Sequence, residues 1–389
     1  MKMPWLSPAR QNAMPPLRGS GACWRLLPAV FLLFLSIGGQ PVLAEAAQVS
    51  ASEMKQAIAV AKEPRTPWRG PQSGPPGQRN KSIAILCEDL RNGGILAVAQ
   101  GVREAAKTLD WKVRVFDAGG TASGRGKAAS DALASRPDGV ILIGADAGEM
   151  RERLVPFAKK GIPIVGWHVG PRAGPIADSP VALNVSTDPL EVARITAMAA
   201  IAGARGPLGV VIFTDSNFKI AMAKANAIAA LIKACAECTL LEIRDVAISR
   251  SAEEMPGVTH ELLARHGKRW THALAINDIY FDYAVPELIA QGLSGDSIRL
   301  LSAGDGSASA IMRIQAGSFQ IGTVSEPLNL HGWQLVDELN RLFARQPING
   351  YVVPVHLVSP ENVDFDGGKR YRYDPDNGYR EAYRRIWQR

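Results

Sequence analysis

Residues 82–102 read SIAILCEDLRNGGILAVAQGV, and the fold follows from this stretch. The apolar run from Ile83 to Cys87 predicts a buried strand, and a polar turn follows it at 88–94. From 96 to 109 apolar residues recur at spacings of three and four, which predicts a helix. A strand, a turn and a helix in this order form the repeating unit of a parallel α/β sheet.

The turn of this unit lacks the features of a phosphate-binding loop. Such a loop needs closely spaced glycines, as in GxGxxG, or a P-loop lysine. Here the one glycine pair, Gly93-Gly94, comes late, and the charges of Glu88 and Asp89 oppose a phosphate. Asp117 ends the second predicted strand, where a dinucleotide fold has an acidic residue, but the glycines are missing. We therefore predict that the turn forms one lip of a cleft for another kind of ligand.

The same alternation continues along the chain and then starts again. Further strands are predicted at 112–117, 139–144, 163–167 and 181–185, and then at 209–213, 240–246, 272–276, 299–303, 322–325 and 352–357. Helices are predicted between them at 122–135, 149–160, 190–202, 220–234, 255–266, 281–291, 307–316 and 331–344. The predicted fold class is α/β, with two doubly wound parallel-sheet lobes, each a three-layer sandwich.

The first 44 residues have the pattern of a secretory signal peptide. A basic region ends at Arg25, an apolar stretch runs from 26 to 38, and small residues precede Glu45. We expect cleavage there and export to the periplasm; an uncleaved membrane anchor is the alternative. Without the basic residues of this segment the formal net charge falls from +7 to +3, and the remaining charge is dispersed. Binding of nucleic acid is therefore not expected.

The segments that flank the α/β region differ from it in composition. Residues 45–80 contain a short helical pattern at 52–62 and then a Pro- and Gly-rich stretch, which predicts an extended arm outside the core. Residues 364–389 form a tail that carries four tyrosines and a tryptophan, which we expect to pack back on the body. These are Tyr371, Tyr373, Tyr379, Tyr383 and Trp387.

Two of the cysteines form a CxxC pair, Cys235 and Cys238. A redox-active pair needs its first cysteine at a helix N-terminus, whereas this pair follows a predicted helix. Further zinc ligands at matching spacing are missing nearby. In an oxidising compartment the pattern favours a structural disulfide.

Polar residues follow most of the predicted strands, where ligands bind in open α/β sheets. Carboxylates and amides beside aromatic faces suit hydroxyl-rich ligands. The alternative is that each caps the next helix, and for 215–217 the two interpretations are about even. For Asn277, Asp278 and Asp305 ligand contact is favoured. The candidate ligand-binding residues are Asp89, Asn92, Asp146, Trp167, His168, Asn277, Asp278, Asp305 and Glu326.

His168 is the candidate with the most varied chemistry. Catalysis would need a nucleophile on a constrained turn, and the sequence has no GxSxG elbow. Metal binding would need paired histidine spacing, which is also absent from the sequence. We predict a hydrogen-bonding or stacking role beside Trp167.

Several stretches resemble the ribose/galactose-type periplasmic binding proteins of ABC importers, whose fold is shared by the ligand cores of LacI-type repressors. These are IAILCEDLRNGG, PDGVILIGADA, GIPIVGWH, VALNVSTDP, ALAINDIYFD, LLSAGDGSASAIMRIQAG and TVSEP. The resemblance covers roughly residues 81–360. It implies that Asn92, Asn277 and the Asp of the GDG at 304–306 bind sugar hydroxyls.

The resemblance also implies how the lobes are assembled. The N-terminal lobe would comprise 81–186 and 326–350, and the C-terminal lobe 187–325 and 351–363. Three crossings, near 185–188, 324–327 and 350–352, would form the hinge. The chain departs from the family at Gly94-Ile95, where an aromatic pair is usual, and at His168, where an Asp is usual. It lacks an arginine at 220–224, and Glu326 stands where Gln is common.

The function implied is that of a periplasmic solute-binding protein. It would deliver a sugar, polyol or related hydroxyl-rich solute to an ABC permease by hinge closure. It would perform no chemistry and need no cofactor. The alternative is a periplasmic ligand sensor that docks on a membrane histidine kinase. The residues favour neither an enzyme nor a DNA-binding regulator.

Overall fold

The computed structural model of the protein describes residues 49–64 and 67–388. The predicted signal peptide at 1–44 lies outside the described residues. In the part of the chain that is described, no helix is both long and apolar enough to cross a membrane.

The first half of the chain builds a six-stranded sheet. Its strands follow the order β2-β1-β3-β4-β6-β5, and all neighbours are parallel except β5 and β6. The central strands β1 and β3 are buried almost throughout, as expected when helices cover both faces. The elements are α1 (Ala51–Lys62), β1 (Ser82–Cys87), α2 (Gly93–Lys107), β2 (Lys112–Asp117), α3 (Ala122–Ala134), β3 (Gly139–Ile143), α4 (Arg151–Lys159), β4 (Ile164–Trp167), β5 (Gly174–Pro175) and β6 (Val181–Val185).

The second half builds another six-stranded sheet. Its order is β12-β11-β10-β9-β7-β8, and only the β11–β12 pair is antiparallel. The elements are α5 (Pro189–Ala202), β7 (Leu208–Thr214), α6 (Lys219–Ala234), β8 (Cys238–Asp245), α7 (Ser251–His266), β9 (His272–Ala275), α8 (Ile279–Ala290), β10 (Arg299–Ser302), α9 (Ala308–Gln315), β11 (Gln320–Ser325), α10 (Leu328–Phe343), β12 (His356–Val358), α11 (Val363–Asp366) and α12 (Tyr379–Trp387). The predicted α/β fold class is confirmed.

The chain passes between the two sheets three times. The first crossing, 186–188, joins β6 to α5, whose cap is Asp188: its Oδ1 accepts from the backbone N–H groups of Leu190 and Glu191 at 2.9 and 3.2 Å. The second, 326–327, leads from β11 into α10, which packs on α2 of the first lobe. Residues 344–355 return from α10 to β12 in the second sheet. The site residue Glu326 therefore lies in a crossing segment.

Helix α10 belongs to the first lobe because two glycines bring it close to α2. A Cβ on Gly332 would lie 2.4 Å from the backbone carbon of Gly101. The buried side chains of Trp333, Leu335 and Leu339 lie in the same core cluster as the β1 residues Ile83 and Ile85. Close backbone approach and apolar burial together fix this helix to the first sheet.

One predicted strand has the wrong bounds. The sequence predicts a strand at 352–357, but the structure pairs only His356–Val358, and Val352 is exposed. Pro354 explains the difference, because proline has no N–H for a ladder and restricts the residue before it. The short strand β5 was not predicted.

The sequence predicts that the arm at 45–80 lies outside the core. In the structure, its described part packs against the core through Trp68. Trp68 is 9% exposed and stacks edge-on against Tyr351, with centroids 5.3 Å apart. Its ring also packs against those of Tyr379 and Tyr383 in the tail, with centroid distances of 6.2 and 5.7 Å. One large aromatic residue thus anchors a segment that the composition describes as a linker.

The aromatic tail packs back on the first lobe for most of its length. Tyr379, Tyr383 and Trp387 are buried on α12, and the ring of Trp387 stacks on that of Trp333 at 5.5 Å. Tyr373 is buried in a separate cluster beside α9, whereas Tyr371 is 42% exposed. The expectation holds for four of the five rings.

Candidate functional site

Side chains that follow strands of both sheets line one cavity between the lobes. Its volume is about 50 Å³. A cavity of this size holds roughly three to five water molecules. The polar side chains in its wall are Asn92 and His168 from the first lobe, and Lys224, Asn277 and Asp305 from the second.

The rest of the wall is mostly apolar. Phe218, Ile220 and Ala221 come from the start of α6, and Ile220 and Ala221 share a face with Lys224 because they lie four and three residues before it. The remaining apolar contributors are Ile95, Trp167, Ile248 and Ile276. A few polar groups within apolar walls are typical of a small-molecule site.

Asp305 occupies the centre of the contact between the lobes. It lies in the turn after β10, is 5% exposed, and its Oδ2 accepts from Asn277 Nδ2 at 2.9 Å. A Cβ on Gly94 of the opposite lobe would lie only 2.1 Å from Asp305 Oδ2. The lobes are therefore closed on each other, and the missing side chain at 94 makes room for this carboxylate.

His168 connects the first lobe to the crossing segment. Its ring stacks on Trp167 with centroids 3.6 Å apart and an interplanar angle of 10°. Its Nε2 lies 2.9 Å from Glu326 Oε1. The backbone of His168 is left-handed, with φ 52°, a conformation uncommon for residues other than glycine. The predicted stacking and hydrogen-bonding geometry is present.

Lys224 is a second partner of Glu326. Lys224 is 3% exposed, and its Nζ donates to the backbone oxygen of Ala303 at 2.8 Å and lies 3.8 Å from Glu326 Oε1. Burial acts to raise the pKa of Glu326, but the charge and hydrogen bond of His168 and the charge of Lys224 outweigh it and lower the pKa to about 2. Glu326 is therefore ionised at neutral pH.

For the two remaining buried groups, Asp305 and His331, burial favours the neutral form. Burial raises the pKa of Asp305 to about 6, although His168 and Lys224 oppose the shift. Burial lowers the pKa of His331 to about 4. Since Trp167 Nε1 donates to His331 Nδ1 at 3.0 Å, that nitrogen carries no proton. His331 is thus neutral, and its 3.5 Å approach to Glu326 is not an ion pair.

His168, Asp305 and Glu326 are the residues here that could hold a metal ion. Among the described residues they offer donor atoms that all lie within 4.8 Å of one another. Lys224 opposes this use, since its ammonium already lies 3.8 Å from Glu326 Oε1 and would repel a divalent cation. The arrangement favours pairing among these side chains.

Four of the predicted site residues do not line this cavity: Glu326, which contacts His168 from the crossing segment, and Asp278, Asp89 and Asp146. Asp278 is fully buried and accepts from the backbone N–H of Gly306 at 2.8 Å and from Gln320 Nε2 at 2.9 Å, so it holds the turn that carries Asp305. Asp89 pairs with Arg91 at 2.7 Å. Neither residue, nor Asp146, lines this cavity in the described structure.

Asp146 instead joins the lobes at the edge of the cleft. Its Oδ1 accepts from the backbone N–H of Gly148 at 2.9 Å and from Lys219 Nζ of the second lobe at 3.0 Å. The Lys219 side chain is 59% exposed, so this ion pair adds little stability.

Asn92 and Asn277 combine both interpretations made from the sequence. Asn92 caps α2, because its Oδ1 accepts from Gly94 N–H at 2.9 Å, yet it also lines the cavity. Asn277 Oδ1 accepts from Ile279 N–H at 3.0 Å while its Nδ2 donates to Asp305. Capping and a place in the wall do not exclude each other.

Asp215, Ser216 and Asn217 do not cap the following helix: the N-cap of α6 is Phe218, which has no side-chain capping hydrogen bond. Asp215 Oδ1 accepts from the backbone N–H of Asn217 at 2.9 Å, and its Oδ2 accepts from Ile248 N–H at 2.7 Å. The carboxylate therefore holds two neighbouring turns together.

Sequence reasoning missed Lys224 and His331 as parts of this site. Lys224 could have been found, because it follows Ile220 by one helical turn and charged residues are seldom buried without a partner. His331 gave no signal, since its partner Trp167 lies 164 residues away along the chain.

The Cys235–Cys238 disulfide lies away from the cavity. Cys235 and Cys238 are joined where α6 ends and β8 begins, with Cα atoms 5.3 Å apart. Neither cysteine contributes to the cavity wall. Oxidation of this pair in exported protein stays a prediction.

The two closed lobes and the cavity between them define a solute-binding protein of the two-lobed type. A family model described as a periplasmic binding protein domain matches residues 83–346, more than half of the chain. The chain therefore belongs to this family, whose members are binding proteins and not enzymes. Comparison with curated protein sequences gave no significant match.

Solved structures of low sequence identity share the fold of this chain. A solute-binding protein of an ABC transporter from Agrobacterium vitis, with bound allitol, is 19% identical, covers 74% of this chain and 97% of its own, and has a TM-score of 0.64. A Caulobacter myo-inositol binding protein bound to myo-inositol is 16% identical, with coverages of 76% and 98% and a TM-score of 0.64. A XylFII-LytSN complex is 15% identical over 73% and 99%, with a TM-score of 0.63.

Proposed function

We propose that this protein binds a small hydroxyl-rich solute, a sugar or polyol, in the periplasm and delivers it to an ABC importer. The observation that carries the proposal is the shared cavity: Asn277 and Asp305 of one lobe meet Asn92, Trp167 and His168 of the other. A ligand that bonds to both sides favours the closed arrangement, and closure presents one surface to a permease.

The chemistry of the wall supports the ligand class. A hydroxyl group can donate to Asp305, and the amide nitrogen of Asn92 makes no hydrogen bond within the described residues. The apolar side chains can cover the C–H faces of a ring or chain. The bound allitol and myo-inositol of two proteins with this fold belong to the same chemical class.

The test is to find what the protein carries. Native mass spectrometry of protein freshly purified from its own periplasm is followed by a thermal-shift screen of polyols, sugars and amines. A ligand at 100 times its dissociation constant adds about 2.7 kcal/mol of stability. We expect polyols or sugars to raise the melting temperature. A shift with amines alone would contradict the ligand class.

The Asp305→Ala variant separates ligand contact from a structural role. If Asp305 bonds ligand hydroxyls, affinity falls by about 10- to 150-fold, corresponding to about 1.5–3 kcal/mol for a hydrogen bond to a charged group. If it serves only the turn, the unliganded protein loses stability while its affinity stays unchanged.

The export step is proposed from the sequence of the first 44 residues. N-terminal sequencing of protein recovered from the periplasm should then begin at Glu45. Recovery of an intact N-terminus in the membrane fraction would favour the anchor instead.

A second candidate role is that of a ligand sensor for a membrane histidine kinase. Its support is the matched XylFII-LytSN complex, in which a protein with this fold is bound to another protein. Neighbouring genes for a permease would favour transport, and a neighbouring kinase gene would favour sensing.

A further inference from the structure

A second, larger chamber adjoins the cavity described above. Its volume is about 210 Å³, against about 50 Å³ for the cavity. The two share Asn92, Ile95, Phe218 and Ile248 in their walls, so these side chains form the neck between them. Both lobes contribute to the chamber, which therefore forms only when they close.

The chamber has a different chemical character from the cavity. Its polar wall includes Glu88, which is 1% exposed and accepts from Arg125 Nε and Nη2 at 2.8 and 2.7 Å. Asp89 and Asp215 are buried beside this pair. Asn217 and Ser249 complete the polar side from the second lobe.

The charges of this wall discriminate between ligand groups. Three carboxylates of the described residues line the chamber, and two of them are paired: Glu88 with Arg125 and Asp89 with Arg91. Asp215 has no cationic partner among the described residues, so the wall keeps a negative charge. A phosphate or carboxylate of a ligand would meet net negative charge. The carboxylate oxygens retain lone pairs that accept hydrogen bonds from hydroxyl groups.

We propose that the second chamber holds a neutral, hydroxyl-bearing extension of the ligand, so that the protein takes a glycosylated polyol or disaccharide instead of a single small polyol. This inference rests on the proposed function. The compact end of the ligand lies in the cavity beside Asp305, the neck surrounds the linkage, and the second unit meets the Glu88–Arg125 pair. The cavity alone is small even for one sugar ring.

Ala122 offers a way to fill the chamber without touching the cavity. It is exposed on the first turn of α3, and it lines the chamber but not the cavity. Ser123 is its neighbour, is equally exposed and lines neither. Ala122→Trp and Ser123→Trp therefore form a matched pair.

The experiment measures affinities by calorimetry for short and long ligands. The probes are glycerol with glucosylglycerol, sorbitol with maltitol, and myo-inositol with galactosyl-inositol. We expect at least one long ligand to bind ten-fold or more tightly than its short partner, and a phosphorylated short ligand to bind more weakly. Ala122→Trp should abolish the gain for the long ligand and leave the short one within two-fold, while Ser123→Trp keeps the gain.

Two results would overturn the inference. One is that short ligands bind while no long partner in any pair binds more tightly. The other is a loss in Ala122→Trp that is equal for both members of a pair. Absence of binding by both members of every pair would instead contradict the proposed function, and the inference would fall with it.

Discussion

Gly94 gives the sharpest test of lobe closure, because its missing side chain is what lets the lobes meet. A Cβ at this position would lie 2.1 Å from Asp305 Oδ2, 2.6 Å from its Cγ and 3.1 Å from its Cβ. These distances are well below van der Waals contact, so Gly94→Ala leaves two options. Either the Asp305 carboxylate turns away from Asn277, or the lobes stop short of full closure.

Both options weaken ligand binding. Turning Asp305 away breaks the 2.9 Å hydrogen bond from Asn277 Nδ2 in a buried site, which costs about 1.5–3 kcal/mol. Stopping short keeps this bond within the second lobe but separates Asp305 and Asn277 from Asn92 and His168 of the first lobe, so that a ligand cannot bond to both sides. We therefore expect affinity for the ligand found in the screen to fall by about 10- to 150-fold. The stability of the open protein should not fall, because alanine suits the first turn of α2 better than glycine.

Gly93→Ala is the matched control. Gly93 is the preceding residue on the same helix turn, is exposed, and a Cβ there would meet nothing within 4 Å. Calorimetry gives the affinities, and small-angle X-ray scattering with saturating ligand gives the degree of closure. The reasoning would be refuted if Gly94→Ala bound ligand within two-fold of Gly93→Ala and reached the same radius of gyration.

Three further outcomes follow from other parts of the molecule. Burial raises the pKa of Asp305 to about 6, so the folded form binds a proton more tightly than the unfolded chain does. In urea titrations, wild-type stability should therefore fall relative to Asp305→Asn as pH rises from about 4 to about 6, by up to about 3 kcal/mol; a difference that does not change with pH would contradict this. Trp68→Ala should cost about 3–5 kcal/mol of unfolding free energy, because Trp68 is buried against Tyr351 and the tail, while the exposed neighbour change Arg69→Ala should cost little. Changing both Cys235 and Cys238 to Ser should leave ligand affinity intact. The unfolding free energy should fall by no more than about 2 kcal/mol, since the loop that the disulfide closes is short. Free thiols in peptide maps of exported protein would contradict the disulfide.

The fold was predictable because periodicity reports burial directly. Strands such as Ile83–Cys87 are buried on both faces and appear in the sequence as unbroken apolar runs, which local composition reveals. Their ends shifted by only a residue or two. The strand near 352 failed because its apolar composition outweighed Pro354, whose missing N–H cannot be read from hydrophobicity.

The packing of the flanking segments could not be predicted from the sequence, because it depends on contacts between distant residues. Trp68 lies within a stretch whose Pro and Gly content is typical of a linker, and its partners Tyr379 and Tyr383 lie more than 300 positions later in the sequence. Composition describes what a segment can do alone, and it contains nothing about a pocket that distant residues create.

The roles of the polar residues in the candidate site could likewise be predicted only in part. Strand ends could be listed from the sequence, and Asn92, Trp167, His168, Asn277 and Asp305 do meet in one cavity. Which polar residue faces the cavity and which holds a turn depends on hydrogen bonds that close over tens of residues, as between Asp278 and Gln320 at 2.9 Å. Asp278 and Asp305 have the same side chain and both follow second-lobe strands, yet only Asp305 faces the opposite lobe. Buried carboxylates at strand ends can thus be identified from sequence, but their division into structural and binding groups requires the folded chain.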